Sequence, residues 1–401
     1  MAQTIAWRQL LGDDCFRTAI GVSFLDEADN IDLFDSDLHE ISKLCSLKHL
    51  FLRNCRSISS VGIANLHRLS RLRVVDLSNT EITDDGLLAL IQLTDLENLD
   101  LSETRITDLG VNQLKNFPKL KSLVLNKTHV SDAGLRVVSS LSSLETLLLA
   151  DTPDISGRGI AVLTKLQDLK SLDMNDNFLT RPTPVEDLDV VQLSELRKLA
   201  FLGLNGSKLT DNGLNSLSSL SQLRSIELNN THITNEGLRE LCESGSISSL
   251  QISNTLVSDE GLKHLEKLNK ISFLILGGQL IGDDSLDHLA QLNSLRALVL
   301  RDTQIAEAGL SKLATISSLE QLALSGNRIG DAGLERLFPL NSLRRLILDR
   351  TNLSDSGLEL LVQFENLKHI NIHKCNVTED GVRKFKTARP DVTVDLNPIR
   401  E

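Results

Sequence analysis

A repeat constrains this chain more than any other feature. The stretch NTEITDDGLLAL at residues 79–90 returns one period later as ETRITDLGVNQL, then as KTHVSDAGLRVV, and again as far along as RTNLSDSGLELL. With the threonine-like residue as anchor, the copies stand at Cys55, Thr80, Thr104, Thr128, Thr152, Asn177, Ser207, Thr231, Thr255, Gln279, Thr303, Asn327, Thr351 and Cys375. That makes fourteen units, 24 or 25 residues apart except for one interval of 30 between Asn177 and Ser207. A fixed period of about 20–29 residues with leucines at set offsets is the signature of a solenoid.

Each unit has two halves. Leu96, Leu99 and Leu101 carry the first. The alternation of the last two is a period of two, so the segment reads as a short strand with one buried face. After the glycine, Leu87, Leu90 and Leu93 are spaced by three and form the apolar stripe of a short helix. A strand that always leads to a helix and then to the next strand gives a parallel sheet on one side and helices on the other. No unit buries its leucines alone, so stacked neighbours make the core. The predicted fold is therefore an α/β solenoid, a horseshoe with a concave parallel sheet and convex short helices.

The adjacent acids Asp84 and Asp85 read as helix-start punctuation. Thr83 falls where an N-cap belongs, and acids in the first turn oppose the positive end of the helix dipole. Thr107–Asp108, Ser131–Asp132, Thr210–Asp211, Ser258–Asp259 and Ser354–Asp355 repeat the wording. A stacked row of acids able to bind calcium is the alternative reading. At Gly86 and its counterparts we expect close backbone approach to the neighbouring coil.

These residues resemble the leucine-rich repeat family over about residues 40–395. The form LxxLxLxxTxITDxGLxxLxxL is similar to bacterial repeats of the planctomycete type. It is also similar to the cysteine-containing repeats of F-box proteins, although only Cys55 and Cys375 keep cysteine at the anchor. The usual family asparagine stands only at Asn177 and Asn327. The resemblance implies a non-enzymatic scaffold that binds a protein or peptide. Its F-box side implies, as an alternative, the substrate-recognition subunit of a ubiquitin ligase or a bacterial effector imitating one. No separate adaptor-binding helical domain is evident in the short N-terminus, which weighs against that alternative.

The organisation expected is an N-terminal cap with an atypical first coil over residues 1–40, a solenoid over 41–390, and a cap strand and tail over 391–401. Val22 and Phe24 would make the first strand, with Trp7, Leu10 and Leu11 in a covering helix; Val392 and Val394 would make the last strand. Pro182 and Pro184 forbid a helix start in the long unit, so the six extra residues form a loop at 181–190. It reads as a tolerated surface insertion or as a contact loop.

The net charge of −12, with no basic block, argues against nucleic acid or an anionic membrane as partner. No apolar run is long enough to span a bilayer, and the first residues do not read as a secretory signal. Cys15, Cys45, Cys55, Cys242 and Cys375 are scattered and odd in number, which fits free thiols, a cytoplasmic location and a monomer. The sequons beginning at Asn126, Asn205, Asn229, Asn352 and Asn376 read as by-products of the repeat wording.

Chemistry is sparse. The chain carries neither a P-loop nor a Gly-x-Ser-x-Gly elbow. His369 and His373 are four residues apart on a strand, about 13 Å, too far to share one ion. His373 is expected beside Asp349 on the adjacent strand. No cofactor, metal or catalytic residue is expected.

The outward strand positions carry the functional signal. Early units place polar residues there, such as Asp76, Asn98, Asp100 and Ser122, with a small apolar spot at Val124 and Leu148. Later units place Phe273, Ile275, Val299, Ala323 and Ile347 at equivalent positions, edged by Arg301, Arg345 and Arg350. An apolar centre with an arginine rim on a solvent-facing sheet is the composition of an interface. The bland reading is that β-branched residues simply favour strands. These eight residues are the predicted partner-binding site.

Overall fold

A computed structural model describes residues 21–23, 33–176 and 185–397. The chain divides into two compact units, one ending at Gly203 and one beginning at Leu204. In the first unit, strands from Gly21–Ser23 through Phe201–Gly203 pair in sequence order, each parallel to the next. In the second, strands from Ser225–Glu227 through Thr393–Asp395 do the same. Most strands have three residues, and their middle leucine or its equivalent is buried. The helices are as short as the periodicity predicts; several pass into 3-10 turns, as at Ala64–Arg68 and Asn112–Asn116.

In several repeats the anchor residue closes the strand-to-helix turn from inside. Thr80, Thr104 and Thr128 are buried, and their hydroxyls donate to the carbonyls of Leu77, Leu101 and Leu125 at 2.7, 2.6 and 2.7 Å. Cys375 directs its thiol at the Leu348 carbonyl, 3.0 Å away, and Asn327 donates to Leu300 and Leu324. Threonine, cysteine and asparagine interchange here because each supplies a donor for the carbonyls of the turn.

The acids do more than the dipole reading supposes. Asp84 reaches forward to the next repeat, where Oδ1 accepts from the Thr107 N–H at 2.8 Å and Oδ2 from the Thr107 hydroxyl at 2.7 Å. Asp35 with Ser59, Asp108 with Ser131, Asp132 with Ser156, Asp211 with Thr234, Asp331 with Ser354 and Asp355 with Thr378 make the same pair of bonds. Each carboxylate thus staples one helix start to the next.

The glycine follows from the staple. A Cβ on Gly110 would lie 2.4 Å from Asp84 Oδ1, and the corresponding distances at Gly62, Gly237 and Gly381 are 2.1–2.2 Å. The close approach at this position therefore comes from the preceding repeat's carboxylate rather than from its backbone alone. Where the preceding acid is replaced by Ser60, the contact at Gly86 relaxes to 3.2 Å. Thr83, opposite that serine, bonds to the Ser60 hydroxyl instead of capping its own helix.

At the C-terminal end, Arg389 is nearly buried. Its guanidinium donates to the carbonyls of Val362, Phe364, Glu365 and Leu367, at 3.3, 2.8, 3.3 and 3.0 Å, and pairs with Asp391 at 2.9 Å. Val392 is buried, and Thr393–Asp395 adds the last strand. The expected N-terminal helix at Trp7, Leu10 and Leu11, the strand residue Phe24, Cys15, and Pro182 and Pro184 lie outside the described residues. After the long unit's insertion, Val185 is buried and the helix Asp187–Leu193 resumes the pattern.

Candidate functional site

The sheet face of the second unit brings the predicted residues together. Ile275 pairs in register with Val299, Val299 with Ala323, and Ala323 with Ile347, giving one unbroken apolar row over four strands. Strands Phe273–Gly277 and Ala297–Arg301 have five residues where their neighbours have three, so pairing is most extensive under this row. Ile275, Val299 and Ile347 are half-buried, whereas Ala323 is only 4% exposed and sets the depth between its neighbours. Phe273, paired with Ala297, widens the patch on one side.

Polar residues close the row at both ends and are already engaged. Gln251, next to Ile275, donates to Glu227 at 2.7 Å; Asn371, next to Ile347, donates to the Asn397 carbonyl at 2.9 Å. In the first unit the same face is mostly polar apart from the in-register pair Val124 and Leu148, and its acids have partners nearby. Asp76 accepts from the N–H and hydroxyl of Ser78, and Asp100 accepts from both groups of Ser102. Burial raises the Asp100 and Asp173 carboxyls above the usual carboxylate range despite these bonds.

The three arginines differ. Arg345 is exposed on one side of the apolar row and, among the described residues, makes no ion pair. Arg301 is half-buried on the other side. Arg350 is turned away, with two guanidinium nitrogens on Asp302 at 3.1 and 3.2 Å and a third contact to Asp349 at 3.4 Å. It sits at φ 57°, in the left-handed turn that follows the strand. Its partner lies two repeats back, and Gly326 between them leaves the space: a Cβ there would lie 2.0 Å from Asp302 Oδ1. Spacing alone does not reveal this bridge, because it spans two periods.

His373 falls beside Asp349 in the ladder, where its carbonyl accepts from the Arg350 N–H at 2.8 Å, but the two side chains turn to other partners. The His373 Nδ1 lies 2.8 Å from the Leu396 carbonyl, while Asp349 accepts from the Ser325 hydroxyl. Burial, then the nearby Arg345 guanidinium, holds His369 below the usual imidazole range, so it carries no charge at neutral pH. Among the described residues no group of three or more His, Cys, Asp or Glu side chains is placed to hold a metal ion. Cys45, Cys55, Cys242 and Cys375 are free thiols, with burial pushing Cys55 up to about 11 and Cys242 up to about 12. No described helix is long and apolar enough to cross a membrane.

A leucine-rich repeat family model matches residues 70–90, 220–242 and 315–338. The chain has the leucine-rich repeat fold. Solved structures of the same fold agree. A leucine-rich repeat protein of Leptospira interrogans is 18% identical with a TM-score of 0.53, covering 92% of this chain and 96% of its own. The TLR13–ssRNA13 complex gives 18% identity and a TM-score of 0.56 over 89% of this chain, which spans 57% of the TLR13 chain. At such identities the likeness concerns the fold. No curated protein matches the chain.

Proposed function

We propose that this chain is a non-enzymatic scaffold that binds a protein partner on the sheet face of its second unit. The observation that carries the reading is the in-register row Ile275, Val299, Ala323 and Ile347, bounded at both ends by side chains that already have partners. Phe273, Arg301 and Arg345 complete the contact surface, and Arg350 shapes its edge through Asp302. Aliphatic side chains aligned on a solvent-facing sheet gain free energy when covered. Anchors of this kind dominate the energetics of interfaces.

The test is affinity capture from cell extract on immobilised full chain, comparing wild type with Val299→Asp and Asp100→Ala. Val299 points away from the leucine core, so the aspartate should leave the protein folded, as circular dichroism would verify, and weaken capture of the same partner at least about tenfold. Asp100→Ala, on the polar face of the first unit, should retain it. Equal capture by all three proteins would refute the assignment of the surface.

A further inference from the structure

We infer that the segment seated on this row is an amphipathic α-helix with acidic residues on one flank of its apolar stripe; the inference rests on the binding reading above and adds the chemistry of the occupant. Three observations carry it.

The first is periodicity. The row offers one aliphatic residue per strand on four successive strands. Parallel strands lie about 4.8 Å apart, and a helix brings one apolar position to the same face about every 5.4 Å. A helix lying across the strands therefore meets each strand with one turn. Over the three intervals the mismatch grows to about 2 Å, which side chains absorb. An extended peptide repeats on one face every 6.6 Å or so, so over the same three intervals its mismatch grows to about 5 Å.

The second is the backbone. Each strand under the row is hydrogen-bonded to a neighbour on both sides. The face therefore offers side chains and no free ladder of N–H and C=O groups. An extended peptide laid over aliphatic groups would give up water at its main chain without replacement. A helix satisfies its own.

The third is charge. The chain is acidic overall, at −12, yet Arg345 stands exposed on one side of the row and, among the described residues, makes no ion pair. Asp349, on the same face, is engaged by Ser325 and Arg350, and His369 is neutral. Arg345 thus presents an exposed positive charge beside the apolar stripe, and acidic side chains on that flank of the helix complement it.

The test selects a displayed library of random peptides of about sixteen residues, enough for four turns, on the immobilised full chain. Each binder is then titrated by fluorescence anisotropy against wild type, Val299→Asp and Arg345→Glu, with circular dichroism verifying the fold of each variant. Binders lost on Val299→Asp should carry aliphatic residues at i, i+3 or i+4, and i+7, with Asp or Glu beside them. A central proline should weaken them more than about tenfold. Arg345→Glu should weaken them several-fold, and a Glu-to-Lys change in the peptide should restore binding. Val299-dependent binders that tolerate the proline, or that are basic, would overturn the helix while leaving the patch as a binding surface. If no binder depends on Val299, the binding reading itself falls and the inference with it.

Discussion

Gly110→Ala should destabilise the protein even though alanine is the better helix former. The new methyl would lie 2.4 Å from Asp84 Oδ1 and 3.2 Å from Asp84 Cα, so the carboxylate must leave its position. It then loses the bonds from the Thr107 N–H and hydroxyl. Hydrogen bonds to a charged acceptor contribute about 1.5–3 kcal/mol each. Asp84 and Thr107 are half-buried, so the lower end applies and the pair contributes about 3 kcal/mol. Alanine in place of glycine returns up to about 1 kcal/mol of helix propensity. The net loss is about 2 kcal/mol, a fall of roughly 4–8 °C in Tm for a unit of this size. Asp84→Ala alone should lose about 3 kcal/mol by the same reasoning. With both changes the methyl meets no carboxylate, so the double variant should be no worse than Asp84→Ala. The coupling is then about 2 kcal/mol, readable from thermal unfolding followed by far-UV circular dichroism. Gly86→Ala is the internal control, because its neighbour is Ser60 at 3.2 Å, and it should be close to neutral. Additivity of the two single changes within about 0.5 kcal/mol, or equal damage from Gly86→Ala, would refute the steric link between acid and glycine.

Three further outcomes are expected. Arg389→Met should lower Tm by several degrees and raise hydrogen exchange first across residues 362–367, whose carbonyls Arg389 holds; unchanged exchange there would remove its role as a clamp. Asp100 has a folded-state pKa raised above the unfolded value, so its ionisation opposes folding as pH rises through that folded value. Asp100→Asn should therefore raise Tm at pH 7, with the gain shrinking as pH falls through about 4; a gain independent of pH would refute the burial argument. In native protein at neutral pH, iodoacetamide should label exposed Cys45 and spare Cys55 and Cys242, whose thiols burial keeps protonated; rapid labelling of Cys242 followed by peptide mass mapping would contradict its buried placement.

The strand-helix alternation was legible because it depends on apolar period alone. Leu99 and Leu101 at period two, and Leu87 and Leu90 at period three, report buried faces whatever their neighbours do. The outward positions of Phe273, Ile275, Val299 and Ile347 were legible for the same reason, since strict alternation assigns them once the inward ones are known. What was hidden depends on which repeat touches which. The wording Thr-Asp-x-Gly looks like a local helix cap, and within one copy nothing separates an acid serving its own helix from one serving the next. The signal was present in a comparison across copies. The acid precedes by 26 or 27 residues the glycine it faces, as Asp84 does Gly110 and Asp132 does Gly159, and the one copy with Ser60 in place of the acid is the copy whose glycine has room.

The same dependence explains why Arg350 is unlike Arg345. Both arginines flank Ile347, the last residue of the apolar row, and composition alone gives them one role. Arg350 occupies a left-handed turn position, so its side chain projects along the stacking direction rather than over the sheet. There it meets Asp302, the residue at the equivalent turn two repeats earlier, because the intervening position is Gly326 and has no side chain to interrupt them. A two-nitrogen contact between guanidinium and carboxylate fixes both groups in one plane. The pair therefore gives the patch a rigid edge of low net charge, and Asp349 is drawn into it rather than left facing the row. Asp349 is thereby held within the fold, and Arg345 is left as the exposed charge beside the row. The acidic character of the whole chain and the basic rim of its candidate site are thus compatible, because the carboxylates nearest the patch are committed to neighbours within the fold.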